Sequence, residues 1–158
     1  MSPAVHRFRI TTDLAAAPDA VWRHVTAMDG VNDEMRPLLR MTVPPGWKSA
    51  RIDDLPLGRP AGRSWLLLLG IIPVDFDDLT IAERGPGHRF REVSVMLTQT
   101  RWEHERAVEP VDGGCRIVDT LSWRGRVAPL GALYRLAVPV LFAHRHRRLR
   151  RRFGRPAR

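Results

Sequence analysis

Cysteine is almost missing from this chain, and its scarcity excludes several kinds of site. Of 158 residues one is cysteine, Cys115, so the chain can form neither an internal disulfide nor a paired-cysteine metal or redox motif. Motifs of serine hydrolases, zinc proteases, phosphate-binding loops and dinucleotide-binding folds are missing as well. We therefore assign no catalytic residue, no metal ion and no cofactor from motifs.

Long hydrophobic runs are also scarce. The longest, from Trp65 to Val74, has ten residues and is interrupted by Gly70 and Pro73, whereas a membrane-spanning helix needs about 20. The first residues of the chain lack the apolar stretch of a secretory signal. A cytoplasmic protein is the expectation.

Acidic residues are missing from the C-terminal end. The formal net charge is +9, and residues 144–158 contain eight arginines and no acid. Removing these eight from the 26 basic residues leaves 18, against 17 acidic residues in the same remainder. A nearly neutral body with a basic end differs from the basic footprint of a nucleic-acid-binding domain, so no specific nucleic-acid partner is predicted.

The arginine-rich end is open to three interpretations. The preferred one is a solvated helix end, where positive charge interacts favourably with the helix dipole. The second is contact with an acidic partner or an anionic membrane surface, and the third is nucleic-acid binding. Surface contact would use six arginines of the last helix, namely Arg145, Arg147, Arg148, Arg150, Arg151 and Arg152.

What is present indicates one α+β domain, placed at 1–154, with a basic tail at 155–158. Hydrophobic residues make up 44% of the chain, enough for a core at this length. Alternating polarity and turn residues predict strands at 6–13, 38–43, 63–71, 74–83, 89–98, 101–109 and 115–124. Because strands and helices are segregated along the chain, a mostly antiparallel sheet is expected.

Helices are predicted in three places. The first begins at Pro18, presents an apolar face at Val21, Trp22 and Val25, and is expected to end at Gly30. A short second helix is expected over 32–35 and a long third over 129–153. The third is the only predicted element long enough to cover the sheet.

One hairpin defines an interior face. Asp112-Gly113 is a strong two-residue turn signal, and this turn pairs Trp102 with Trp123, His104 with Leu121, Arg106 with Asp119 and Val108 with Ile117. Since cross-strand partners share a face, all eight side chains are predicted to point inward. The polar ones are either a structural ion pair with a core histidine or the polar end wall of an apolar pocket.

Two further polar groups are weaker candidates. Asp75 and Asp77 are expected to share the outward face of a strand, close to Asp78, where solvent exposure is favoured over metal binding. His144 and His146 are two residues apart on a helix and therefore cannot bind one metal ion together.

The long last helix has two apolar stripes. The first contains Leu133, Ala137, Val140 and Leu141, and the second contains Val138, Phe142, Leu149 and Phe153. A helix that is apolar all round touches two partners, which we interpret as the sheet and a cavity. Pro139 predicts a kink at the cavity, and the arginine-coated end is expected to project past the sheet.

These features resemble the START-like or SRPBCC helix-grip superfamily, which includes polyketide cyclases, lipid-transfer domains and birch-pollen-allergen-like proteins. The resemblance rests on APDAVW after the first strand, on the RWEHERAVEPVDGGCRIVD hairpin and on the closing FAHRHRRLRRRF helix. It implies a curved antiparallel sheet of about seven strands around a long C-terminal helix, with two short helices after the first strand and a ligand cavity. It implies no catalytic residue, because the superfamily shares no catalytic motif.

The preferred function is binding of an apolar small molecule, lipid-like or polyketide-like, in that cavity. The alternative is a cyclase- or dehydratase-type enzyme in which His104 acts as acid or base, Arg106 polarises an oxygen and Asp119 holds Arg106. The residues predicted to line the cavity come from the hairpin and the last helix: Trp102, His104, Arg106, Asp119, Leu121, Trp123, Leu133, Tyr134, Ala137 and Leu141.

Overall fold

The computed structural model describes residues 3–157 and confirms the α+β class. Residues 1 and 2 of the predicted domain and Arg158 of the predicted tail lie outside the described residues. The helices are α1 Pro18–Val25, α2 Met28–Met35 and α3 Ala128–Phe153, with a short 3-10 turn at Ile52–Asp54. The strands are β1 Val5–Leu14, β2 Leu39–Met41, β3 Gly62–Leu68, β4 Ile72–Leu79, β5 Ile81–Arg84, β6 His88–Met96, β7 Gln99–Val111 and β8 Gly114–Gly125.

The strands form one antiparallel sheet that curves around α3, so the predicted helix-grip architecture is confirmed. Strand order is β1-β8-β7-β6-β4-β3-β2, and β5 pairs with β6 beside this path. The predicted hairpin register is also confirmed: Val111 pairs with Gly114, Arg106 with Asp119 and Trp102 with Trp123. The predicted strand over 74–83 was too long, because it divides at Thr80 into β4 and β5.

The two short helices differ from the prediction at Gly30. This glycine does not end α1; it lies inside α2, which begins four residues earlier than predicted. A Cβ atom on Gly30 would lie 1.8 Å from the carbonyl oxygen of His24. The glycine therefore permits close contact between α1 and α2. The predicted apolar face of α1, at Val21, Trp22 and Val25, is buried.

Both halves of α3 pack against the sheet, through Val138 and Phe142 in the apolar half and Leu149 in the arginine-rich half, but the apolar half also exposes Leu133, Leu136 and Val140 to solvent. Of the two predicted stripes the second is the better buried, since Val138, Phe142 and Leu149 are at most 3% exposed and Phe153 is half-buried. The prediction that the helix end projects past the sheet is wrong, because Arg145 and His146 are also buried. The helix runs without a break through Pro139, where the kink stays a prediction. No helix within residues 3–157 is both long and apolar enough to cross a membrane.

Candidate functional site

Arg106 stands at the centre of a buried charge network. Its Nε and Nη2 atoms donate to the two carboxylate oxygens of Asp119 at 2.7 and 2.8 Å. Its Nη1 atom donates to both oxygens of Glu34 at 2.9 and 3.0 Å. Arg145 donates from Nε to Glu34 at 2.9 Å. Two cations and two anions thus balance inside the protein, which is the condition for burying charge without a large free-energy cost.

Two histidines complete the shell of Asp119. His104 Nε2 lies 2.8 Å from Asp119 Oδ1, and His146 Nε2 lies 2.7 Å from Oδ2. Since a carboxylate only accepts hydrogen bonds, both Nε2 atoms donate to it. The other ring nitrogen of His146 lies 2.8 Å from the hydroxyl of Thr12. This network joins β1, β7, β8, α2 and α3, and we call it the core charge network: Thr12, Glu34, His104, Arg106, Asp119, Arg145 and His146.

Burial and neighbouring charges shift the pKa values of three groups in the core charge network. Burial opposes ionisation of Asp119, but the charge of Arg106 and hydrogen bonds from Arg106 and His104 hold its pKa well below the ordinary value. Burial disfavours the charge of Arg106, yet Asp119 and Glu34 raise its pKa. Burial lowers the pKa of Arg145, against the attraction of Glu34. Asp119 and Arg106 are therefore ionised at neutral pH, and Arg106 lies between the carboxylates of Asp119 and Glu34.

A second polar group lies beside His104. Glu92 accepts a hydrogen bond from Ser94 at 2.8 Å and faces His104 Nδ1 at 3.8 Å. Burial opposes ionisation of Glu92, but His104 and its other polar neighbours lower its pKa. Burial and the charge of Glu92 raise the pKa of Asp77 well above its ordinary value. Asp77 Oδ1 has no hydrogen-bond partner within residues 3–157.

The prediction that Asp75 and Asp77 face outward is wrong. Both are buried, at 1% and 5% exposure. Asp78, on the same strand β4, points outward and pairs with Arg63 at 2.8 Å. The three carboxylates therefore do not form one site. The strand patterns mislead here, because the aromatic side chain of Phe76 lies on the outer face, where Arg63 and Trp65 pack on it.

The structure divides the predicted cavity-lining residues into three groups. His104, Arg106 and Asp119 belong to the core charge network. Leu121 and Trp123 pack with Val138 and Phe142 in a small apolar cluster, edged by Trp102, Tyr134 and Leu141. Leu133 is 56% exposed, and Ala137 is exposed too. The structure therefore places these positions in three different surroundings.

An open apolar surface lies instead on the concave face of the sheet, at the end formed by β2, β3 and β4. Ser64 is completely buried, so Leu66 and Leu68, two and four residues further along β3, share its inward face. Their cross-strand partners continue that face: Met41 with Leu66, Leu39 and Ile72 with Leu68. Leu68 and Ile72 are 42% and 49% exposed, so this part of the inner face is uncovered.

Helix α3 supplies the opposite wall. Ala137, Leu141, His144 and Arg148 follow each other at spacings of three and four residues, and so share one side of the helix. At the far end of this side His144 Nε2 lies 2.7 Å from the carbonyl oxygen of Arg36, and Arg148 binds Asp33. Because Asn32 of α2 also binds the backbone of Met41 at both N and O, Ala137 and Leu141 face the β2 side.

The near end of this space is polar. Tyr134 donates to Asp75, and Thr98 donates to the same carboxylate through its hydroxyl and, at 3.2 Å, through its backbone N–H. The Tyr134 ring also stands against Trp102. Burial and Asp75 raise the pKa of Tyr134, which keeps its hydroxyl protonated. We call the whole space the apolar groove: Leu39, Met41, Leu66, Leu68, Ile72, Ala137 and Leu141, with Tyr134 and Asp75 at its end.

The arginine run is not the uniform solvated surface that was predicted. Arg145 is buried against Glu34 and therefore is not available for surface contact. Arg148 and Arg152 approach Asp33 at 3.1 and 3.9 Å, and Arg150 donates to Thr12 at 3.2 Å. Arg147 and Arg151 are exposed and make no ion pair within residues 3–157.

Comparison with solved structures shows the START-like fold. Protein CV1439 from Chromobacterium violaceum is 15% identical, with 94% of this chain and 96% of that chain covered and a TM-score of 0.68. A START superfamily protein from Mycobacterium smegmatis is 14% identical, with 94% and 97% covered and a TM-score of 0.67. The Zhui aromatase/cyclase from Streptomyces sp. R1128 is 13% identical, with 94% and 96% covered and a TM-score of 0.57.

At these identities the structural likeness establishes the fold alone. A search of the curated proteins finds no match to this chain. The model of one protein family matches residues 12–153, which include every strand from β2 to β8 and all three helices. The chain therefore belongs to the family described as domain of unknown function DUF8410.

Proposed function

We propose that this protein binds an apolar small molecule in the apolar groove. The observation that carries the proposal is the exposure of Leu68 and Ile72, which pair with each other at the end of the sheet near β2, on the side that Ala137 and Leu141 of α3 face. Inward faces of sheets are normally covered by packing, and a contiguous exposed apolar patch marks a binding surface. Covering it would gain about 25 cal/mol per Å² of apolar area before the cost of association.

The polar end of the groove would orient the ligand. Tyr134 is half-buried, so its ring edge and hydroxyl are within reach of a molecule lying along the groove, whereas Asp75 is held by several donors. An apolar body with one hydroxyl or carbonyl group suits this arrangement, since pockets combine apolar walls with a few placed polar groups. His104 is 6% exposed and hydrogen-bonded to Asp119, which favours its structural interpretation over catalysis.

Titration with the uncharged dye N-phenyl-1-naphthylamine tests this proposal. The dye should bind with a rise in fluorescence, and Ile72→Asp should weaken binding at least tenfold, because it places a charge on the uncovered inner face. The matched control is Val95→Asp, since Val95 is 47% exposed and lies on the outer face of β6, opposite buried Ser94 and Met96. Its affinity for the dye should stay unchanged.

A second pair of variants tests the helix wall. Ala137→Glu should weaken dye binding, whereas Ala132→Glu, exposed on the other side of α3, should not. Thermal unfolding of all four variants serves as the control that each is folded. Equal loss of dye binding in the test and control variants, or unchanged binding in Ile72→Asp and Ala137→Glu, would refute the apolar groove as the binding site.

A further inference from the structure

A second open space lies at the other end of α3, away from the apolar groove. It is a surface cleft of about 350 Å³ between β1, β8 and the segment that follows α3. This volume is at the lower end of the range for small-molecule sites. The cleft is lined by Thr11, Thr12, Asp13, Arg116, Arg150, Arg155 and Pro156.

Hydrogen bonds fix the two sides of the cleft. Gly154 ends α3 with φ +77°, in the left-handed region that favours glycine, and its carbonyl oxygen accepts a hydrogen bond from the N–H of Ala15 at 3.2 Å. This contact fixes the chain direction just before Arg155. On the opposite side, Thr12 is anchored to His146 of the core charge network. The position of Arg155 relative to β1 is thus set by the backbone hydrogen bond between Ala15 and Gly154.

The charge of the cleft is unbalanced. Arg116 pairs with Asp13 through two hydrogen bonds of 2.7 and 3.0 Å. Arg150 donates to the Thr12 hydroxyl, and neither Arg150 nor Arg155 meets a carboxylate within residues 3–157. Three guanidinium groups and one carboxylate leave two positive charges facing a space of small-molecule size.

We infer that this cleft binds the phosphate group of a phosphate monoester. Such a group carries about −1.5 to −2 charges at pH 7, which matches the charge excess of the cleft, whereas a carboxylate carries one. The planar guanidinium fork matches phosphate oxygens in two-point contacts, and Arg150 and Arg155 are the two forks not already engaged with a carboxylate. The hydroxyl of Thr11, which is exposed at the rim, supplies a further donor.

This inference does not depend on the apolar groove. Arg150 follows Leu141, the last groove residue of α3, by nine residues, about 14 Å along a helix, and the two sites share no residue. Phosphate monoesters occur free or as lipid headgroups, so two probes separate the sources. Glycerol 3-phosphate tests the free form, and vesicles of phosphatidylcholine with or without phosphatidic acid test the headgroup.

The decisive variants compare equal losses of charge. Arg150→Met with Arg155→Met should weaken binding of the responding probe at least tenfold, a change of about 1.4 kcal/mol. Arg147→Met with Arg151→Met removes the same charge from exposed positions that do not line the cleft, and should change the affinity less than twofold. The single variant Arg155→Met keeps Arg150 and changes only the exposed segment after α3. It therefore tests the cleft without altering the helix.

Substitution of Asp13 provides a test of opposite sign. Asp13→Asn releases Arg116 and raises the excess positive charge, so the affinity for the same probe should increase severalfold, as measured by calorimetric titration at fixed ionic strength. If neither probe binds, the inference is overturned. Equal weakening in the two double variants also overturns it, because that result would indicate diffuse attraction to the arginine-rich end.

Discussion

Glu34 is the residue on which the balance of the core charge network depends most directly, because it faces both Arg106 and Arg145. Glu34→Gln would leave two buried guanidinium groups with one carboxylate, and breaking such a pair costs about 3–5 kcal/mol. Combining it with Arg145→Met should recover part of this loss. Urea unfolding of both single variants and the double variant measures the coupling free energy.

A surface pair provides the control for that measurement. Asp13 and Arg116 are bound in the same two-point geometry but are exposed, so their coupling should be at most about 1 kcal/mol. If the Glu34 and Arg145 substitutions were simply additive, the central role of Glu34 in the network would be wrong.

The sequence could predict the hairpin residues of this network, three of its seven, but not the residues that come from other elements. A two-residue Asp-Gly turn determines the register of its hairpin, so the pairing of Arg106 with Asp119 follows from counting residues. Glu34, Arg145 and His146 reach the same point from helices whose docking no local pattern encodes. In α3 the arginine-rich composition indicated solvent exposure, yet one arginine in the run is needed inside because Glu34 is there.

Asp77 gives a prediction about pH at a single residue. Its pKa is raised well above the ordinary 3.8 by burial and by Glu92. A carboxyl with a raised folded-state pKa stabilises the fold fully below pH 3.8 and loses that contribution as pH rises through the folded-state value. Asp77→Asn should therefore become increasingly more stable than the wild type as pH rises, by about 1.4 kcal/mol per unit of pKa difference.

Chemical unfolding at several pH values measures this effect. Asp78→Asn is the control, because Asp78 is the next residue but lies outside, paired with Arg63. Identical pH dependence in the wild type and Asp77→Asn would contradict the raised pKa of Asp77.

At the scale of the element, α3 shows why hydrophobic pattern alone misplaces a helix. Its N-terminal half is apolar all round, but Leu133, Leu136 and Val140 are 56%, 74% and 65% exposed. Its C-terminal half is dominated by arginine and is the better buried, since Leu149, His146 and Arg145 all face the core. Composition predicted a buried apolar half and a solvated arginine-rich half. It could not show that Arg145 and Arg148 have carboxylate partners, because those partners lie on α2, far away in sequence.

Two leucines of this helix test its orientation. Leu149→Ala removes a side chain with no exposed surface, so it should cost about 2–5 kcal/mol of unfolding free energy, which lowers Tm by roughly 4–20 °C for a domain of this size. Leu136→Ala, on the exposed side of the apolar half, should change Tm by less than about 2 °C. Differential scanning calorimetry gives both values, and similar losses would show that the apolar half is buried.

At the scale of the whole molecule, the interior holds a balanced set of buried charges beside its apolar core. Ion pairs join the sheet to two helices through four elements, β7, β8, α2 and α3, and a hydrogen bond adds Thr12 of β1. The uncovered apolar surface lies at the end of the sheet near β2. This arrangement ties the stability of the fold to protonation. Two buried carboxylates act in opposite directions, since the pKa of Asp119 is lowered and that of Asp77 is raised.

The acid side of the stability profile belongs to Asp119. Burial opposes its ionisation, but Arg106 and the hydrogen bonds of Arg106 and His104 keep its pKa well below 3.8. A lowered folded-state pKa stabilises the fold above pH 3.8, and this contribution is lost as pH falls through the folded-state value. Protonation would then leave Arg106 and Arg145 with too little negative charge, inside a chain whose net charge is already +9.

The variant Asp77→Asn separates the effect of Asp119 at low pH from the loss of stability that Asp77 causes as pH rises. Its unfolding free energy should fall steeply below about pH 4 but lack the decline with rising pH that Asp77 causes in the wild type. Urea unfolding followed by tryptophan fluorescence measures both profiles, because Trp123 is buried beside the network. Retained stability of Asp77→Asn at pH 2 would show that Asp119 is not held ionised by Arg106, and the core charge network would lose its assigned role in the fold.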